Sequence, residues 1–70
     1  MNDLMLNTNI YKKNWIFLAA KAFEDICNIN IIETNDYIVC KFSNCIYDTI
    51  ETIREFENYI IDLMNTNLDL

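Results

Sequence analysis

A chain of 70 residues with neither glycine nor proline must make every turn with residues that carry an ordinary side chain. It has no material for a phosphate-cradling glycine loop or for a flexible linker. Asparagine takes over: eleven are spread along the chain, and this residue tolerates the left-handed backbone region and bonds its own main chain. The length allows one domain, 1–70, in which no repeat or low-complexity block appears. With 53% hydrophobic and 23% charged residues, the composition is that of a folded domain. A core this small is marginal, and small domains without staples often lean on a partner or a second copy.

Hydrophobic periodicity places the elements. Leu4 and Leu6 alternate with polar positions up to Thr8, which predicts a short strand, and Asn9 to Tyr11 form a turn. From Lys12 to Cys27, the residues Ile16, Ala19, Ala20, Phe23 and Cys27 recur every three or four positions, as in an amphipathic helix. The period then changes. Ile29 to Glu33 is β-branched and alternating, Thr34-Asn35-Asp36 is a hairpin turn, and Tyr37 to Phe42 is a second β-rich run. Ser43 to Tyr47 reads as a loop. Asp48 and Glu51 read as a capping box that opens a last helix, whose buried stripe is Ile50, Ile53, Phe56, Ile60, Leu63 and Met64.

The order strand, helix, hairpin, helix predicts an α+β fold. A right-handed crossover, with the third strand between the first two and antiparallel to both, gives a three-stranded sheet. Both helices then cover one face in a β-α-β-β-α two-layer sandwich, and the other face and two strand edges stay open. Such edges suggest docking.

Charge and cysteine usage exclude several roles. The net charge is −6 with only five basic residues, so no basic footprint for nucleic acid or an anionic membrane surface is expected. The longest apolar run, Trp15 to Ala20, is far short of a membrane span. Met1 to Leu6 includes Asp3 and lacks the basic start of a signal peptide. Three cysteines are odd in number, which argues against a secreted disulfide framework and for a reducing cytoplasm.

Catalytic groups are sparse. Without histidine there is no imidazole base and no Cys-His or Ser-His pair. Cys27, Cys40 and Cys45 lack C-x-x-C spacing, so no metal or cofactor is expected. Cys27 and Cys40 read as small buried hydrophobes, and Cys45 as an accessible free thiol. Glu51, Glu55 and Asp62, with Asn58, line one side of the last helix as a solvated face. Glu57 falls inside the apolar arc. Either its stem lies along the core with its head in water, or it is a partly buried carboxylate paired with Lys21 or Lys41, or kept for a basic group on a partner. On the first helix, Phe17 and Leu18 point away from the core stripe and Trp15 sits on its flank. Three large apolar residues in four positions suggest an interface.

Several segments together carry a likeness: Asn9-Ile10-Tyr11, the helical Ala19-Ala20-x-x-Phe23, the Ile-rich strand from Ile29, Tyr37-Ile38-Val39, and Glu55-Phe56-x-Asn58-Tyr59-Ile60-Ile61-Asp62. The pattern resembles the HxsD-like proteins, small companions of radical-SAM enzymes in His-Xaa-Ser peptide maturation. The likeness spans nearly the whole chain, although Lys12 stands where the family has proline or serine after the tyrosine. It implies a non-catalytic accessory protein, in effect a peptide-modification chaperone, that binds a ribosomally made precursor peptide, its radical-SAM enzyme, or both. Any S-adenosylmethionine or iron–sulfur cluster would belong to that enzyme. On this reading a leader peptide adds to a sheet edge, at Ile29–Glu33 or Leu4–Thr8. The partner-binding residues expected are then Trp15, Phe17, Leu18, Ile29, Ile31, Glu33 and Glu57. Competing readings are a small acidic inhibitor or decoy that blocks a basic nucleic-acid-binding protein, and a homodimer joined at sheet edges or the first helix.

Overall fold

The computed structural model describes residues 2–66. Its elements are β1 (Asp3–Asn7), α1 (Lys13–Ala22), β2 (Asn28–Glu33), β3 (Tyr37–Ser43) and α2 (Thr49–Thr66). The sheet has the order β1-β3-β2, with β3 antiparallel to both neighbours. The expected α+β fold is the one observed.

Register explains which face is covered. Leu4 pairs with Cys40, which pairs with Ile31; Leu6 pairs with Ile38, and Phe42 with Ile29. Side chains alternate across a strand, so these residues share one face, and the helices lie on it. Leu6, Ile38 and Cys40 are fully buried there, with Ile16 and Ala19 from α1 and Phe56 and Ile60 from α2. Phe56 binds the layers together: its ring meets Phe23 edge-on at 5.4 Å and Phe42 at 5.2 Å. The opposite face carries the row Met5–Val39–Ile32 and the row Asp3–Lys41–Asn30, in which Lys41 pairs with Asp3 at 3.4 Å.

Asparagine serves two of the turns, while Phe23 to Ile26 turn without one. The Asn7 side chain accepts from the Asn9 N–H at 2.8 Å, while the Asn7 carbonyl accepts from Ile10 and Tyr11. Asn44, just beyond β3, is the one described residue with positive φ, at 52°. Asp48 caps α2: its carboxylate accepts from the Glu51 N–H at 3.0 Å.

Four expectations are corrected. The first helix ends at Ala22, not Cys27: Phe23 to Ile26 leave it in tight turns, and the Ile46 N–H bonds Ile26 O at 2.9 Å. Trp15 is no flank residue; it is 6% exposed and part of the core, since its long side chain reaches inward beside Ile16. Ile50 is 56% exposed, and Thr52 takes the buried place near the start of α2. That hydroxyl can be buried because it donates to the Asp48 carbonyl at 2.8 Å. Finally, Cys45 is no free thiol but is disulfide-bonded to Cys27, which leaves Cys40 as the free cysteine among the described residues.

Candidate functional site

The free edge of β2 comes first. The Thr34 N–H donates to Tyr37 O at 2.8 Å, which makes that pair hydrogen-bonded. Hydrogen-bonded and non-bonded pairs alternate along an antiparallel ladder. In this register Ile32–Val39 and Asn30–Lys41 are therefore bonded pairs, while Glu33–Ile38, Ile31–Cys40 and Ile29–Phe42 are not. The main-chain N–H and C=O of Ile29, Ile31 and Glu33 consequently point away from β3. No other described strand pairs with them. The same parity, fixed by the bonds Phe42 N–H to Asn2 O and Thr8 N–H to Asp36 O, turns Asp3, Met5 and Asn7 outward on β1. There Asn7 already uses its carbonyl in the turn, so β2 offers the longer open edge.

Edge strands are usually guarded by proline, a bulge, or an inward-pointing charge. β2 has no proline, and Ile29 and Ile31 point into the covered face. Its sole charge, Glu33, is held at the strand end by Lys13 at 2.9 Å. Both side chains are half exposed, so the pair contributes about 0–1 kcal/mol. Its effect is positional. It ties the first turn of α1 to the end of β2, and Phe17, one turn beyond Lys13, lies on the same side of that helix. Phe17 and Leu18 are 43% and 49% exposed, as the sequence suggested.

Glu57 is partly buried, but neither Lys21 nor Lys41 reaches it. The Tyr11 hydroxyl donates to its Oε2 at 3.0 Å. Burial, with the hydrogen bond and the negative charge of Glu57 adding to it, raises the Tyr11 phenol above its ordinary value of 10.0. A raised folded value means that this contribution to stability is complete below pH 10 and fades as pH rises through the raised value. In a difference titration of tyrosinate absorbance, wild type minus Tyr11→Phe should ionise above the ordinary phenol, and Glu57→Gln should lower the midpoint only part of the way, because burial remains. An ordinary midpoint with Glu57 intact would refute the contact.

Of three further features, the burial of Cys40 was read from the sequence and the other two were not. The row Met5–Val39–Ile32 gives the uncovered face an apolar centre, with Met5 63% and Ile32 42% exposed. Cys40, wholly buried beneath the helices, has its thiol pushed up to about 11 by desolvation and is unreactive at neutral pH. The third is an open cleft of about 210 Å³ between the turn after α1 and the start of α2, lined by Phe23, Ile26, Tyr47, Glu51, Thr52 and Glu55. The stripe of Glu51 and Glu55 was visible in the sequence; the apolar walls facing it were not.

Among the described residues, no three Cys, Asp or Glu side chains are grouped to hold a metal, and no helix is long and apolar enough to cross a membrane. Comparison with protein-family models, curated proteins and solved structures finds no match.

Proposed function

We propose that this chain is a non-catalytic binding module that takes up an extended peptide as a fourth strand on the edge of β2. The observation that carries this is the outward-facing main chain of Ile29, Ile31 and Glu33, unguarded, with exposed Phe17 one helical turn beyond the Lys13 that pairs with Glu33. Backbone bonds would give affinity, and the side chains beside the edge would select the sequence. The resemblance to the HxsD-like proteins supplies the partner class: a ribosomally made precursor peptide, the radical-SAM enzyme that modifies it, or both. The acidic surface fits a protein partner better than nucleic acid.

The test is a pull-down of the tagged protein from its native lysate, followed by variants. Recovery of a radical-SAM enzyme or a short precursor peptide supports the reading. Recovery of a nucleic-acid-binding enzyme released by moderate salt would replace it with the acidic decoy, and self-association in sedimentation would make β2 a dimer edge. Ile31→Pro removes an outward N–H and no ladder bond, so the sheet should survive. Binding should fall about tenfold or more. Phe17→Asp should weaken it as well. If both folded variants keep every partner, the mechanism is wrong.

A cytoplasmic place of work is part of the proposal. Thiols are kept reduced there, so the Cys27–Cys45 bond stands against it. Alkylation and mass measurement of protein quenched directly from its host decides: two further reactive thiols after reduction place it in an oxidising compartment, and none added by reduction supports the cytoplasm.

A further inference from the structure

We propose that the cleft between the turn after α1 and the first two turns of α2 binds a single arginine side chain of a partner polypeptide. Its size selects the class of ligand. At about 210 Å³ it lies below the roughly 300–1,000 Å³ of sites that enclose small molecules and cofactors. One long side chain fits such a space.

Its chemistry selects the charge. Glu51 and Glu55 stand one helical turn apart on α2 and both line the cleft. Like charges at this spacing repel. Among the described residues neither joins an ion pair: the ion pairs present are Lys13–Glu33 and Lys41–Asp3, and Arg54, next to Glu55, joins neither carboxylate. A cation entering the cleft would meet two carboxylates free of any ion pair. The other walls are Phe23, Ile26 and Tyr47, and Tyr47 is 66% exposed, with its ring available. Aromatic and aliphatic walls with two carboxylates suit guanidinium better than ammonium. The planar fork stacks on a ring, reaches carboxylates in pairs and is more weakly hydrated.

The walls are also fixed in place. Ile26 precedes Cys27 and Tyr47 follows Cys45 by two residues, so the disulfide holds both sides of the cleft. The Ile46 N–H to Ile26 O bond, at 2.9 Å, adds a second tie. Thr52 forms the floor, its hydroxyl proton already committed to Asp48 O. None of these residues belongs to the β2 edge, so the site stands whether or not a strand is added there.

The experiment is an NMR titration of the intact chain with a capped tripeptide, Ala-Arg-Ala, and its neutral isostere in which citrulline replaces arginine. The arginine peptide should shift resonances of Phe23, Ile26, Tyr47, Glu51 and Glu55, with a dissociation constant on the order of a millimolar, as befits one side chain. The citrulline peptide should bind about tenfold more weakly or less, since it lacks the charge-assisted bonds. Glu51→Gln/Glu55→Gln should lose the same factor. Asp36→Asn/Asp62→Asn removes as much charge elsewhere and should lose little. Equal binding of citrulline, equal weakening by the two double variants, shifts outside the cleft, or no shift with the arginine peptide would each overturn the assignment.

Discussion

Replacing Phe56 by alanine should lower stability by about 3–5 kcal/mol, the range for deleting a buried aromatic side chain. Phe56 is fully buried, and its ring touches Phe23 of the turn after α1 and Phe42 of β3, so its loss opens a void where both layers meet. A domain of 70 residues has about 4–10 kcal/mol in total at ordinary stability per residue. The variant should therefore lose about half its stability or fail to fold. Phe56→Leu keeps most of the apolar volume and forfeits the edge-to-face contacts, at about 0.5–1.5 kcal/mol each, so it remains measurable if alanine does not fold. Ile50→Ala is the contrast, because a side chain 56% exposed should change stability within about 0.5 kcal/mol. Urea unfolding of the three variants checks this. If Ile50→Ala cost as much as Phe56→Leu, α2 would be turned from the orientation described.

That contrast marks where the sequence is a good guide. Alternation in Tyr37–Phe42 and the β-branched run from Ile29 place β2 and β3 because a strand's period is fixed by its geometry. The short reversal at Thr34–Asp36 leaves antiparallel pairing as the only option for them. Helix faces are read less well. The periodicity that includes Cys27 is an accident of the chain's turn after Ala22, since a turn residue can sit over the same core as a helix residue. Trp15 is reassigned because a large side chain reaches the core from a flanking position, and Ile50 because Thr52 satisfies its hydroxyl within its own helix.

The candidate site divides along the same line. An open β2 edge follows from topology, and the topology was legible. The guard residues it lacks could also be seen missing from Ile29–Glu33. What stayed hidden depends on distant pairs. Nothing local links Glu57 to Tyr11, separated by 46 positions. Nothing local sets Phe23 and Tyr47 across from Glu51 and Glu55. Cysteine parity misled outright, because an odd count forbids full pairing but not a single pair.

That pair should matter greatly to the fold. Cys27→Ser/Cys45→Ser should lower stability by about 3 kcal/mol, the loop-closure value for a crosslink spanning 18 residues. The loop it closes contains the whole β2–β3 hairpin, so the crosslink restricts the unfolded chain across two of the sheet's three strands. The single variant Cys40→Ser separates this from loss of a cysteine as such: it places a hydroxyl in a fully buried apolar site, with a cost of about 1–3 kcal/mol that does not depend on reductant. Thermal unfolding of wild type with and without dithiothreitol, beside the double variant, gives the measurement. Reduced wild type and double variant should converge on one lower midpoint. If reductant left the wild-type midpoint unchanged, Cys27 and Cys45 would be a buried thiol pair, the cytoplasmic placement would gain its support, and the two sides of the cleft would be held by the Ile46–Ile26 hydrogen bond and packing alone.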